Sequence, residues 1–456
     1  MHIVIAGEDE AAFRLVEALT ADHSVFLVCS ETAAGPRVDR LDVQPIYGDI
    51  ASLSALRAAG IESADVFVAC SPSDEKNLVA CVVAASQGAK RTACFLFRPD
   101  FRAAIGESSI FAKKLGITSI VRPAEQLARE IIRIVNVPGA LDVEIFEGGK
   151  VTLFRHAIEK EALITRGPLK DLGLPAGVVL VMVRRGEQIF VPKGSTRLEP
   201  GDKVTAMGSP RDMNRLLYRF LRAEGQGRES HRVTVVGGGD VGLAVALGLE
   251  DLGWEVKVIE PRQERCEEIS RVLNSLVLCG DGANLELLEA ERVAEDSVLV
   301  AVTSNDEKNL LVSLLAKQLG VPRIVTRADI PANERLFEKV GIDVVRSSSG
   351  AAVSSVLRSV IPTRAEILAE LEHGDAVVLE FDLPEGLAAV KLQDLAVPEF
   401  AIVGAVLREG RALVPRGQDV LQGRDRIIVF SPAKKEREVR EFFTVELPRR
   451  HRAREG

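Results

Sequence analysis

Residues 233–260 read VTVVGGGDVGLAVALGLEDLGWEVKVIE, an apolar strand, a glycine turn, a helix and a second strand that ends on an acid. Val233 to Val236 is a β-branched run suited to a strand covered on both faces. The turn that follows carries G-x-G-x-x-G as Gly237, Gly239 and Gly242, with Gly238, Asp240 and Val241 between them. Gly237 permits a tight turn, Gly239 lets a backbone approach a pyrophosphate, and Gly242 lets the helix taken to begin there pack closely on its strand. The free N–H groups and the positive end of that helix attract an anion without help from a lysine. Glu260 follows Gly242 by 18 residues (260 − 242), close to the spacing at which an acid reaches ribose hydroxyls. Its charge repels a 2′-phosphate, which favours NAD(H) or an unphosphorylated adenosine ribose over NADP(H), with nearby Arg262 acting in the opposite sense. A flexible turn is the bland alternative for a glycine triplet; the strand, helix and acid in register argue for the nucleotide.

The chain of 456 residues is long enough for several domains. Hydrophobic residues make up 46% and aromatic residues 4%, so the cores must be built from aliphatic side chains, as in α/β sheets. A net charge of −8 leaves no electrostatic footprint for nucleic acid. The basic end, with Arg449, Arg450, Arg452 and Arg454, reads as a solvated tail, with attraction to anionic lipid as the alternative. Six cysteines without a C-x-x-C pair point to reduced thiols in a cytosolic protein. Met1 leads straight into the strand HIVIAG, so no signal peptide is expected, and no run of 18 apolar residues appears.

The N-terminus is a worn copy of the same pattern. Aligning HIVIAGEDEAA with RVTVVGGGDVG keeps Gly7 but sets Asp9 and Ala12 against Gly239 and Gly242, and Cys29 against Glu260. Glu8, Asp9 and Glu10 then stand where phosphates would lie, and Glu31 is the residue left to contact a ribose. Either a modified ligand or a purely structural half fits these residues.

Further on the repeat is explicit. YGDIASLSALRAAGIESADVFVACSPSDEKNLVACVVA parallels CGDGANLELLEAERVAEDSVLVAVTSNDEKNLLVSLLA, with Asp49 and Asp281, and Asp74 and Asp306, each 232 residues apart (281 − 49 and 306 − 74). Strands alternating with helices predict parallel sheets with right-handed crossovers. The loop Thr303–Asp306 leaves the carboxyl end of its strand, where Thr303 and Asn305 offer polar groups to a nucleotide. Asp306 and Asp74 are expected to cap the helices they begin, whereas Asp281 with Gly282 reads equally as an adenosine contact or as a turn.

After each copy the pattern changes to short strands and turns, including Pro192-Lys193-Gly194 and Pro415-Arg416-Gly417. The resulting order is a dinucleotide-type domain at 1–137, a small α+β domain at 138–222, a linker at 223–230, a second dinucleotide-type domain at 231–361, a second small domain at 362–446 and a basic tail at 447–456. Lys193 and Arg416 read as solvated turn residues. The six histidines make no ligand-spaced pair, and no nucleophile elbow, zincin or P-loop motif is present, so the chain reads as a binder of nucleotides rather than an enzyme.

The glycine turn with Glu260, the Gly-Asp element at Asp281, the T-S-N-D-E-K-N loop and the V-P-(K/R)-G modules together resemble the TrkA family. That family comprises cytosolic nucleotide-binding regulators of Trk-type potassium uptake. The resemblance implies two Rossmann-like RCK (KTN) domains, each followed by a small RCK-C (TrkA-C) domain. It further implies a homo-oligomer, a dimer or tetramer of tandem chains forming an RCK ring, peripheral on the cytoplasmic face of the inner membrane. The ring docks on a potassium-translocating membrane subunit and biases its gate according to bound NAD(H) or ATP/ADP. Carried over, the phosphate turn is Gly237–Gly242, the ribose acid Glu260, the adenosine-side pair Asp281 and Gly282, and the loop Thr303–Asp306. The first-half turn is Gly7–Ala11, where two glycines and the strand-end acid are lost. Basic residues common in the family before the Pro-Asp step are replaced by Phe95 and Phe97, and Arg98 remains beside them. One working and one degenerate half is the expected outcome; an NAD-dependent oxidoreductase, or a regulator of another channel or antiporter, is the alternative.

Overall fold

The computed structural model describes residues 1–20, 23–31, 38, 41, 43–98, 101, 110–146, 149–186, 188–222, 231–360, 365–371, 376–409 and 411–447. The expected linker at 223–230 and the arginines of the basic tail lie outside the described residues. The chain divides into two compact units, Met1–Ile132 with His231–Ile361, and Arg133–Ser230 with Pro362–Gly456.

In the first unit the strands β1 (His2–Ala6), β2 (Ser24–Cys29), β3 (Gln44–Tyr47), β4 (Val66–Ala69), β5 (Thr92–Phe95) and β6 (Ser119–Val121) form one sheet in the order β3-β2-β1-β4-β5-β6. All of its pairings are parallel. Five strands of the other unit, β7 to β11, intervene in the chain. A second parallel sheet then repeats the order as β14-β13-β12-β15-β16-β17, from β12 (Arg232–Val236), β13 (Glu255–Glu260), β14 (Leu276–Cys279), β15 (Val298–Ala301), β16 (Ile324–Arg327) and β17 (Val344–Arg346). This is the doubly wound, Rossmann-like order, and its switch point lies between β12 and β15.

Burial follows from the strand period of two. Ile3 and Ile5 of β1 pack with Ala12, Leu15 and Val16 of α1 (Glu10–Leu19), while Val4 and Ala6 point to the opposite layer with Leu56 of α2 (Leu53–Ala58) and Ala80 of α3 (Asp74–Ser86). Two further helices complete the first copy, α4 (Ile110–Lys114) and α5 (Pro123–Val135). In the second copy α7 (Asp240–Asp251), α8 (Gln263–Ser270), α9 (Leu285–Ala290), α10 (Asp306–Leu319), α11 (Pro331–Lys339) and α12 (Ser348–Ser359) connect the strands, the helix α6 (Pro210–Leu216) belonging to the other unit. Ala352, Val353 and Val356 of α12 join the core that holds Ala12 and Val16 of α1, so the two copies share an apolar interface. Arg14 of α1 reinforces it by reaching Glu334 of α11 at 2.5 Å.

The second unit holds two antiparallel sheets of five strands. One has the order β10-β9-β11-β8-β7, from β7 (Ala140–Phe146), β8 (Val151–Ala157), β9 (Val178–Arg185), β10 (Gln188–Phe190) and β11 (Lys203–Gly208). The other, β18-β19-β24-β21-β22, uses β18 (Ala365–Leu371), β19 (Ala376–Asp382), β21 (Ile402–Arg408), β22 (Arg411–Leu413) and β24 (Arg426–Pro432). The short β20 (Val390–Lys391) and β23 (Val420–Leu421) pair with each other. Helix α6 in one copy and α13 (Glu436–Glu441) in the other follow the last strand. Each copy carries the same ion pair between a half-buried arginine and a buried aspartate, Arg185–Asp202 at 2.7 Å and Arg408–Asp425 at 2.6 Å. Lys193, expected to be solvated, pairs with Glu399 at 3.1 Å while remaining exposed.

Candidate functional site

The glycine turn at the second sheet's switch point is shaped by three different constraints. Gly237 has φ of +108°, and a Cβ there would lie 2.9 Å from the Thr303 amide nitrogen. Gly242 touches the turn so closely that a Cβ would overlap the Gly237 carbonyl oxygen. At Gly239 the need is different, because a Cβ there would meet nothing within 4 Å. The helix α7 begins at Asp240, two residues earlier than Gly242, with Gly239 as its N-cap and no side chain capping it. Its first N–H groups therefore face a cavity of about 670 Å³ lined by Gly237, Gly239, Asp240, Val241, Glu260, Arg262, Gly282, Thr303 and Asn305 among others. Uncapped helix N–H groups beside an open space have the chemistry to seat an anion.

Glu260 closes one end of this cavity. It is 4% exposed, and its carboxylate accepts hydrogen bonds from the Gly238 amide at 2.8 Å and the Arg262 Nε at 2.8 Å. Burial pushes its pKa up, but the Arg262 side chain and the Gly238 and Arg262 amides outweigh it and hold the carboxyl below the usual glutamate range. Glu260 thus does two things: it braces the turn through Gly238, and it engages the guanidinium that would otherwise attract a 2′-phosphate. Gly238 itself is tight, since a Cβ there would stand 3.1 Å from Glu260 Cβ.

Asp281 does not line the cavity. It accepts from the Ala283 amide at 2.9 Å and pairs with Lys308 at 2.8 Å, and the Lys308 hydrogen bond holds its carboxyl below the ordinary range. Lys308 does line the cavity, so Asp281 acts on it through that lysine. Gly282 also borders it, and a Cβ there would overlap Val236 Cγ1.

The Thr303–Asp306 loop differs in part from expectation. Asn305, not Asp306, caps α10 by accepting from the Lys308 amide at 2.6 Å, and Ser73, not Asp74, caps α3 by accepting from Lys76 at 3.3 Å. Asp306 is buried and takes hydrogen bonds from the Asp329 and Ile330 amides at 3.0 and 3.1 Å and from Asn333 Nδ2 at 2.9 Å, tying down the start of α11. Asp74 does the same for the amides of Phe97 and Arg98, both at 2.9 Å. A carboxylate one residue inside a helix faces sideways toward the next strand's loop, and sequence spacing does not distinguish that from a cap.

The residue missed is Asn309. Fully buried, it accepts from the Thr303 amide and hydroxyl at 2.9 and 2.7 Å and donates Nδ2 to the carbonyls of Thr303 and Arg327, both at 3.0 Å. It thereby joins two loops that border the cavity. Asn77 makes the equivalent set to Ser71 and Phe95 in the first copy. The shared D-E-K-N of the two repeats carried the signal.

The first-copy candidates separate into two places. Asp9 caps α1 by accepting from the Ala12 amide at 3.0 Å, so a carboxylate of the chain occupies the position that is open in front of α7. Burial, with the neighbouring Glu10 adding to it, pushes the Asp9 acid up to about 6. Asp9, Glu10 and Ala11 border the same 670 Å³ cavity as the second copy's turn, together with Phe97. Glu8, Glu31 and Asp49 instead line a different cavity of about 630 Å³ with Lys76. There Ser30 donates to Glu8 at 2.6 Å and Lys76 pairs with Asp49 at 2.9 Å. Gly7 is required where it stands, because a Cβ would overlap the Cys70 carbonyl. Arg98 lines neither cavity and bonds Glu75 at 2.5 Å.

A repeated doubly wound sheet with one open glycine turn, accompanied by a repeated α+β sheet, defines a tandem Rossmann-type protein. The TrkA-N domain family matches residues 3–123 and 233–348, and the TrkA-C domain family matches residues 166–221 and 377–444. The chain belongs to the TrkA family of Trk-system potassium uptake proteins. It is 33% identical over 444 residues to a Trk system potassium uptake protein TrkA homolog of Archaeoglobus fulgidus, covering 97% of this chain and 100% of that one. Among solved structures the fold is similar to the GsuK channel, with a TM-score of 0.62 at 18% identity over 97% of this chain and 78% of that chain. The GsuK channel bound to NAD aligns with a TM-score of 0.60 at 18% identity and the same coverage.

Proposed function

We propose that this chain is the nucleotide-sensing regulatory subunit of a Trk-type potassium uptake system, with NAD(H) as its ligand and ATP/ADP as competitors for the same site. The observation that carries this reading is the uncapped start of α7 behind Gly239, facing a cavity closed at one end by Glu260. The pyrophosphate rests on the α7 N–H groups, the adenosine ribose meets Glu260, and the Lys308–Asp281 pair flanks the phosphates. A structural relative solved with NAD supports the choice of ligand. In this reading the chain has four domains, at 1–137, 138–222, 231–361 and 362–446, and the Asp9 cap of α1 takes the anion seat of the first Rossmann copy.

The chain works as a binder, not an enzyme, and sits peripherally on the cytoplasmic face of the membrane against a potassium-translocating subunit. Among the described residues no helix is long and apolar enough to cross a membrane. Assembly into a homo-oligomeric ring is supported by apolar pairs repeated on equivalent helices: Val79 and Val82 of α3, and Leu311 and Leu314 of α10, are exposed. Ligand that prefers one arrangement of such a ring shifts its population, and the membrane subunit senses the shift without any hydride moving. Calorimetric titration of NADH, NADPH, ATP and ADP into wild type, Gly239→Asp and Glu260→Ala tests the site. Loss of binding in both variants is expected, and undiminished binding in both overturns the assignment. Co-purification with the membrane subunit tests the partner.

A further inference from the structure

The first copy's acidic turn contributes to the second copy's cavity in a way that the loss of its own anion seat does not explain. Asp9, Glu10 and the exposed Phe97 line the same cavity as the α7 turn. Asp9 and Glu10 stand at the start of α1, and Arg14 of the same helix reaches Glu334 of α11, the helix that precedes β17. Helix α1 packs on α12 through a shared core, and a Cβ on Gly350 in the first turn of α12 would lie 3.3 Å from Arg14 Nη1. Helix α12 follows β17, the edge strand farthest from β14. In a doubly wound sheet the adenosine half of a dinucleotide lies over the strands on the Glu260 side, and the second nucleotide lies over the other half of the sheet.

The cations of the cavity are already engaged. Arg262 pairs with Glu260 at 2.8 Å, Lys308 with Asp281 at 2.8 Å and Arg327 with Asp329 at 2.5 Å. Glu10 is bridged by Arg14 at 3.1 Å, whereas Asp9 forms no ion pair among the described residues. The end that would receive the second nucleotide thus offers carboxylates and an aromatic face, the recognition chemistry of a flat cation.

We propose that Asp9, Glu10 and Phe97 form the receptor for the positively charged nicotinamide ring, so that the cavity selects NAD+ over NADH. This rests on the dinucleotide reading of the Gly239 site. The two ligands share the adenosine, the pyrophosphate and both riboses, and differ in that the oxidised ring carries a fixed positive charge. Asp9 and Glu10 attract that charge, and Phe97 offers its π face to it. A triphosphate placed there meets the same carboxylates as repulsion.

The test is calorimetric titration of the full chain with NAD+ and with NADH at pH 8, on wild type, Asp9→Asn, Glu10→Gln, the double variant and Phe97→Ala. Asparagine caps a helix as well as aspartate does, so α1 is retained, and circular dichroism checks this directly. Wild type is expected to bind NAD+ about five- to tenfold more tightly than NADH, the size of one partly solvated charge pair. The ratio falls toward one in the double variant, and Phe97→Ala reduces it as well. Equal or tighter binding of NADH by wild type, or an unchanged ratio in the double variant, overturns the proposal while leaving the dinucleotide site intact. A chain that binds neither dinucleotide overturns both readings.

Discussion

Replacing Asp9 by asparagine should stabilise the protein at neutral pH, and the gain should vanish in acid. The Asp9 carboxylate caps α1 and is partly buried, with its acidity displaced from the ordinary 3.8 to about 6, chiefly by burial. A shift of about two units corresponds to about 3 kcal/mol by which the folded state disfavours the ionised form. Partial solvent access reduces the expected effect to about 1–2 kcal/mol. An acid whose folded value is raised contributes stability that is fully present below its unfolded value and lost as pH rises through its folded value. The ionised carboxylate therefore costs nothing below about 3.8 and reaches its full cost above about 6. Asparagine keeps the cap without the charge. The assay is thermal or urea unfolding of wild type and Asp9→Asn at pH values from 4.5 to 8, comparing the difference between the two proteins at each pH. The difference should grow with pH and level off near neutrality. A difference that stays flat with pH, or a variant less stable than wild type at pH 8, refutes this account of the turn.

Three further outcomes follow from the geometry. Gly242→Ala places a methyl group against the Gly237 carbonyl, so dinucleotide affinity should fall at least about tenfold with the fold retained, as read by calorimetry and circular dichroism. Asn309→Ala leaves the part-buried Thr303 amide and Arg327 carbonyl without their partner and should cost about 1–3 kcal/mol in unfolding experiments, along with ligand affinity. Lys308→Ala releases Asp281 from its ion pair and removes a cation from the cavity wall; binding should weaken, and its dependence on salt should become shallower than in wild type.

The parallel sheets and the duplication were legible because their signals are local and repeated: β-branched runs, a glycine triplet, and motifs separated by a fixed 232 residues (281 − 49). The need for glycine was local at Gly242, which meets the Gly237 carbonyl of its own turn; at Gly237 it also depends on Thr303 of the next loop, and at Gly239 no protein contact demands it. What the sequence hid depends on distant partners. Asp306 looked like a cap because caps are the common use of an aspartate at that spacing, yet its acceptors are taken by amides 23 and 24 residues away. Asn309 received no role from the sequence, because the D-E-K-N shared by the repeats marks its position but not that it reaches Thr303 and Arg327 at once. The grouping of Asp9 and Glu10 with the other copy's turn, apart from Glu8 and Glu31, required the interface between α1 and α12 to be seen.

That separation changes what degeneracy means in this chain. Two equivalent turns facing a common interface could each hold a ligand only if both kept an uncapped helix start. In the first copy Asp9 fills that position, which removes a competing anion seat and at the same time places a carboxylate beside the remaining one. Its displaced acidity is the energetic cost of holding it there, about 3 kcal/mol at most, within what the shared core around Val16 and Val356 can offset. A half that served only as scaffold would gain from a neutral residue at position 9, since serine or asparagine caps equally well. The retained charge is therefore better explained by what it faces than by what it caps.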